Sequence, residues 1–418
     1  GDGHDAGEAG AAGRDCGGDD CDDGDAGVSP EAVEVCLDGV DGDCDGIVDG
    51  LARLEAPLRV SALPGSGQDP GIAWTGSEYG VVFESEAGGD SDLYAWTLDA
   101  EGDPVVHGEP YLTGDAYADR TPRHVWTGSL YLVEWMKETL IGGNPRPWLM
   151  RWDEDWIEVG TEGRMRSDTW AAYSMDVAWT GSAMAACWTQ GGPNMAVACN
   201  VFDESGAALW PADTVVDAPD PGWSAGDPSI AWSGSEFAVA WSVEPAASDF
   251  GDSYVVRMAA DGSGIGTIRG IAPSVASYAE APQVEWAGAG WALAWYETDD
   301  MSVDDARLEI ADAALAAEGA SVAVSEAAGT SVMPVLAWTG SEVVVLWNDM
   351  RAGLFEMQIY CRTFDGSGAA TSGDVRVSAT ADYSFLPTAV IAGHEIGVAW
   401  TQMASTNDAY FARLGFCE

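Results

Sequence analysis

The residues best suited to chemistry lie near the start of the chain, in Asp15-Cys-Gly-Gly-Asp-Asp-Cys-Asp-Asp-Gly-Asp25 and Val35-Cys-Leu-Asp-Gly-Val-Asp-Gly-Asp-Cys-Asp-Gly-Ile-Val-Asp49. Hard cations such as Ca2+ need roughly six to eight oxygen ligands, which aspartates alternating along a tightly turning loop can supply. With Asp41 as loop position 1, Asp43 falls at 3, Asp45 at 5, the required glycine (Gly46) at 6, the Ile47 carbonyl at 7 and Asp49 at 9. Position 12, where an EF-hand carries its bidentate glutamate, is Ala52. A complete helix-loop-helix is therefore not expected, and the missing ligand has to come from Asp38, Glu55 or the first acidic cluster. Zinc held by thiolates fits less well, because Cys16, Cys21, Cys36 and Cys44 are not spaced as paired short knuckles and His4 is the one histidine nearby. Oxygen-rich surroundings favour a hard ion. The competing reading is an acidic spacer tied by disulfides, with no metal.

The pattern resembles the Cys/Asp-rich metal-binding motif of bacterial secreted and surface proteins, which runs roughly DCDD-x-D, a proline, E-x-C, then DG-x-D-x-DCDG-x-x-D. Asp20-Cys-Asp-Asp-Gly-Asp25, Pro30, Glu34-Val-Cys36 and Asp38-Gly-Val-Asp-Gly-Asp-Cys-Asp-Gly46 through Asp49 meet it, in a single copy. It departs at Asp41-Gly42-Asp43 and at Gly50, which stands where an acidic residue is frequent. The resemblance implies an exported protein with a calcium-type site at Asp20, Asp22, Asp25, Asp41, Asp43, Asp45 and Asp49.

What must hold such a module is a repeat. Ile72-Ala-Trp-Thr-Gly-Ser-Glu-Tyr-Gly-Val-Val-Phe83 recurs seven times, anchored at Trp74, Trp126, Trp179, Trp232, Trp286, Trp338 and a degenerate Ile391, at spacings of 52, 53, 53, 54, 52 and 53 residues. Nine residues after each anchor stands a second aromatic: Phe83, Trp135, Trp188, Trp241, Trp295, Trp347 or Trp400. Each unit reads as a hairpin turning at Thr-Gly-Ser, a third strand, an Asp/Gly-rich turn and a short fourth strand. Four antiparallel strands at a period near 50, with no helical stretch between them, predict an all-β, seven-bladed β-propeller. The seventh unit supplies three strands, and Leu58-Arg-Val-Ser-Ala62 copies Val375-Arg-Val-Ser-Ala379. Residues 57–62 are therefore expected to complete the last blade and close the ring. The chain then divides into a flexible leader (1–14), a cation-binding module (15–55) and the propeller (56–418). It opens on Gly1-Asp-Gly-His, which reads as a processed or trimmed product.

Charge narrows the partners. With 69 acidic and 17 basic residues, and Lys137 the sole lysine, the net charge is −52. Such a surface suits neither nucleic acid nor anionic membranes, which need cationic neutralisation, and no apolar run approaches ~18 residues. Eight cysteines point to disulfides and an oxidising compartment. Cys187 and Cys199 flank a hairpin loop symmetrically and are expected to bond. Cys361 could pair with Cys417, or Cys417 could reach the amino-terminal module, whose own candidates are Cys16, Cys21, Cys36 and Cys44.

An active site is harder to read. The loops expected on one face carry Asp90, Asp92, Asp119, Arg120, Arg123, Lys137, Asp168, Asp227, Asp249, Asp252, Glu297, Asp299, Asp300, Asn348-Asp-Met-Arg351 and Asp382. These offer too many carboxylates to choose a glycosidase pair. A sialidase-like site would draw on Arg120, Arg123 and Arg351, but that family's Ser-x-Asp-x-Gly-x-Thr-Trp turns are absent. His4, His107, His124 and His394 show no catalytic or ligand spacing. Arg151, Arg257, Arg307, Arg362 and Arg413 recur on third strands and read as partners of the aspartates that follow. The repeated tryptophans read as blade packing, leaving Trp170, Trp223 and Tyr278 for any carbohydrate platform. The expectation is a secreted or cell-surface, non-catalytic binding or assembly protein with a calcium-type site, binding protein or glycan on the loop face. A glycan-active hydrolase and a self-assembling subunit of an extracellular polymer are the alternatives.

Overall fold

The repeated turn shows how the sequence builds the blade. Gly76 adopts φ 106°, and a Cβ there would meet no atom within 4 Å, so glycine is required by the backbone angle and not by lack of space. The Thr75 hydroxyl accepts from the Glu78 N–H at 2.9 Å and donates to the Glu78 carbonyl at 3.1 Å. The same hydroxyl lock recurs at Thr127, Thr180, Ser233 and Thr339. In these five blades it joins the first two strands, which in blade one are Gly67–Trp74 and Glu78–Ser85, followed by Asp92–Asp99 and Pro104–Val105.

The structure is a computed structural model. It describes residues 51–416 apart from 62–66, 87–89, 106–110, 139–142, 167–169, 193–194, 217–222, 245–250, 265, 272–277, 299–303, 352, 354–355, 380–381 and 404–405. The described residues form seven antiparallel sheets. Consecutive first strands touch one another around a central axis, and the first strand of blade seven returns to that of blade one.

The core is divided accordingly. Seven buried clusters each lie between two adjacent blades, and each contains one of the second aromatics, supplied by the later blade of the pair. Trp135, Trp188, Trp241, Trp347 and Trp400 are fully buried. The anchor tryptophans are only partly buried. They lie over an aromatic at the start of the next strand, as Trp74 over Tyr79 (4.5 Å) and Trp232 over Phe237 (4.5 Å), each the second residue of its strand.

The ring closes as expected, with a longer clasp. Leu58–Arg59 pairs with Phe411 and Tyr410 of the last strand, Asn407–Phe416. The copied serine explains the copied sequence: Ser61 Oγ accepts the Ala409 N–H at 3.1 Å, as Ser378 Oγ accepts that of Ile359 at 3.0 Å in blade six. Pairing begins earlier still, at Leu51–Arg53 against Phe416 to Leu414.

Six first strands carry a bulge at an x-Pro step, and in each the residue before proline has a left-handed φ: Asp69, Thr121, Asp227, Ala281, Met333 and Leu386. Proline has no N–H for the ladder, so register resumes one residue beyond it, as at Gly71 opposite Val82. The freed amides reach the preceding blade: Asp69 N–H donates to Thr401 Oγ1 (2.9 Å), Thr121 to Glu84 Oε2 (2.9 Å) and Asp227 to Thr189 Oγ1 (3.1 Å).

Candidate functional site

The expected ligands Asp20, Asp22, Asp25, Asp38, Asp41, Asp43, Asp45, Ile47 and Asp49, with Cys16, Cys21, Cys36 and Cys44, lie outside the described residues. The described chain begins two residues beyond Asp49, at Leu51. Ala52, at position 12 of the loop numbering, is fully buried in a strand opposite Gly415, so no exit helix of an EF-hand begins there. Glu55 Oε1 accepts from Arg413 Nε at 3.1 Å, which engages that carboxylate with blade seven.

Cys187 and Cys199 sit opposite each other on the second and third strands of blade three and are disulfide-bonded. Cys361 is free and buried, so the pairing of Cys361 with Cys417 is not made. Its place in the wedge core between blades six and seven surrounds it with apolar side chains.

The arginines suited to an anion site do not converge. Arg120 faces Glu84 (3.6 Å) and Glu86 (3.8 Å), and Arg123 pairs with Asp69 (3.2 Å). In blade six Arg351 binds both Asp349 and Asp374 at 2.8 Å and stacks 3.8 Å from the Tyr360 ring. Third-strand arginines are structural, but their partners are mainly glutamates: Arg257 with Glu236 (3.0 Å), Arg307 with Glu297 (3.3 Å), Arg362 with Glu326, and Arg413 with Glu395 (2.9 Å). The aspartates later in each blade are occupied within their own turns, where Asp365 Oδ1 accepts from the Ser367 and Ala369 N–H groups.

Three polar sites remain. Lys137 is buried at the edge of blade two, with Nζ donating to Asp115 (2.5 Å) and to both oxygens of Glu162 (2.8 and 2.9 Å), 5.0 Å from the Trp148 ring. A cavity of about 280 Å³ beside it is lined by Asp115, Trp135, Trp152, Glu158 and Glu162. With its three N–H groups so engaged, the lysine ties two loops to the blade. Behind it, burial pushes Asp119 up to about 7 against the pull of Lys137.

The second site faces the axis. Glu134 is fully buried opposite Arg123, and neither carboxyl oxygen has a hydrogen-bond partner. Burial, reinforced by Asp176 and opposed by Arg123, raises its pKa well above that of a free glutamate. Burial also pushes Glu285 up to about 7. A buried carboxyl without donors is held protonated.

The third lies where the repeat fails. In blade three the proline position is Met175, no left-handed residue precedes it, and register resumes one residue early, with Met175 opposite Trp188. Between blades three and four a cavity of about 260 Å³ opens, lined by Tyr173, Thr189, Met195, Asp227, Ser242 and Glu244 among others. Tyr173 is 45% exposed and Trp170, three residues earlier, 47%. Of the other loop aromatics suited to a carbohydrate platform, Trp223 packs against the core between these blades, and the Tyr278 side chain lies outside the described residues. Tyr173 is not among the aromatics that the sequence singles out; the missing proline at position 175 was the available signal.

Fold and site define a seven-bladed propeller, clasped by its amino-terminal strands and preceded by a Cys/Asp motif. A family model described as "Putative metal-binding motif" (Cu-binding MopE) matches residues 20–50. Among solved structures, the chain is similar to a protein of unknown function from Dyadobacter fermentans DSM 18053 (10% identity, 88% of this chain and 99% of that chain, TM-score 0.52). It is also similar to the β-propeller domain of the Trilobed protease from Pyrococcus furiosus (10% identity, 85% and 95%, TM-score 0.52) and to the polysaccharide lyase Uly1 (8% identity, 86% and 91%, TM-score 0.52). At these identities the likeness concerns the fold alone. No curated protein matches the chain.

Proposed function

We propose that this is an exported, non-catalytic binding or surface-assembly protein, in which a calcium-type module is mounted on a propeller whose loop face takes a protein or glycan ligand. The observation that carries the reading is the splice between the two parts. The motif match ends at Gly50 and the strand clasped to blade seven begins at Leu51, so the two parts are contiguous in sequence. Residues 20–50 hold nine aspartates and two glutamates, no histidine or methionine, and three cysteines (Cys21, Cys36 and Cys44) that are expected in disulfides and so offer no thiolate. That donor set suits a hard ion better than copper, which favours nitrogen and sulfur. Among the described residues no group of three or more His, Cys, Asp or Glu is placed to hold a metal, which supports locating the ion in the module.

The disulfide in blade three supports an oxidising, extracellular compartment. No helix among the described residues is long and apolar enough to cross a membrane. The carboxyls with raised pKa, such as Asp119, Glu134 and Glu285, line neither described cavity, which favours binding over acid-base hydrolysis.

Calorimetric titration of Ca2+, and separately Cu2+, into the chelator-stripped full chain tests the metal reading. Saturable Ca2+ binding that is lost in the combined Asp41→Asn, Asp43→Asn, Asp45→Asn variant is expected. Saturable Cu2+ binding with no Ca2+ response would overturn it.

A further inference from the structure

The loop face can be narrowed to one place and one ligand class. Six blades build the bulge of their first strand on a left-handed residue followed by proline, whereas blade three shifts register between Ala172 and Met175 with neither. In a repeat protein, positions shared by all units are accounted for by packing, so a departure that also opens a cavity needs another explanation. The cavity lies at that departure, and its walls come from the altered strand of blade three and the adjoining strands of blade four.

The walls have the chemistry of a sugar site. Tyr173 offers an exposed aromatic face on which the C–H face of a sugar ring can stack. Asp227 and Glu244 offer acceptors for sugar hydroxyls. Asp227 is held in its left-handed conformation (φ 48°) while its N–H is fixed on Thr189 Oγ1. Ser242, only 8% exposed, forms part of the wall, and its hydroxyl is buried without a protein partner, so it closes the floor of the cavity without reaching a ligand. Thr189, on the facing wall, stands two residues from Cys187, whose bond to Cys199 braces that hairpin. About 260 Å³ is below the roughly 300 Å³ at which drug-sized pockets begin, so it takes one small ring. A stable protein partner would instead cover about 800 Å² of surface. Carboxylates on the wall and a net charge of −52 exclude acidic sugars.

Resting on the binding role proposed for the loop face, we propose that this cavity between blades three and four binds a single neutral sugar residue at the end of a glycan, seated on Tyr173 and held by Asp227 and Glu244.

The test is an array of immobilised neutral oligosaccharides ending in glucose, galactose, mannose, N-acetylglucosamine or N-acetylgalactosamine, probed with the full chain, with and without calcium. The wild type should be retained on at least one, and Tyr173→Ala and Asp227→Asn should each weaken retention tenfold or more while melting as the wild type does. Titrating the free methyl glycoside of the retained sugar should shift the Met195 methyl NMR signal and leave that of Met403, exposed in blade seven, in place. Retention undiminished by Tyr173→Ala overturns this site while leaving a binding protein. Absence of retention on every neutral glycan, with calcium binding intact, overturns the sugar ligand without touching the metal module.

Discussion

The two faces of the ring are built on opposite rules. On the turn face the blades repeat one another: in five of the seven a Thr or Ser hydroxyl locks the first hairpin, with Ala287 and Ala392 at that place in the other two, and an aspartate such as Asp203 or Asp365 caps the second with its own carboxylate. On the loop face one blade breaks the pattern, and a cavity opens there. Periodicity therefore marks what the ring needs to close, and departures from it mark where selection for another purpose can be sought.

Four measurements would break or sharpen this contrast. Trp347→Ala removes a fully buried wedge residue whose Nε1 donates to Asp349 at 2.8 Å. It should cost ~3–5 kcal/mol in denaturant titration, clearly more than Trp338→Ala at the half-buried anchor; equal costs would mean the anchors and not the second aromatics carry the core. Replacing both Cys187 and Cys199 by serine opens a link spanning 12 residues and should cost ~3 kcal/mol, with weakened ligand binding, because the brace lies beside the cavity.

Glu134→Gln tests the axial carboxyl through pH. The native carboxyl holds its proton more tightly than the unfolded one, so the wild type loses stability as pH rises above the free value of 4.5. Two charged neighbours act on it: Asp176, which raises its pKa, and Arg123, which lowers it. The glutamine variant should therefore melt higher than the wild type at about pH 7, and the two should converge below 4.5. A variant that is less stable at neutral pH would show Glu134 to be ionised and paired. The smallest effect belongs to the turn face: Thr75→Ala should lose ~1 kcal/mol and leave ligand binding unchanged.

Much of the ring was legible in the chain. Anchor spacing gave the blade count, and the copy of Val375-Arg-Val-Ser at Leu58 gave the closure, because both are local patterns repeated by necessity. The partners of the third-strand arginines were not, since Asp312 and Asp365 look available in sequence until the turn geometry consumes them. Glu134 was illegible for a different reason: its surroundings come from Arg123 across the hairpin and Asp176 in the next blade, a juxtaposition made only when the ring forms. Met175 was legible in principle, as the one position where six prolines lack a seventh.

The central claim, that ligand binding resides where the repeat is broken, is tested most directly by hydrogen exchange on the full chain with and without the sugar it retains. Protection confined to residues 172–176, 189–190, 224–227 and 242–244 is predicted. Protection at the equivalent residues of other blades, or on the turn face, would contradict it.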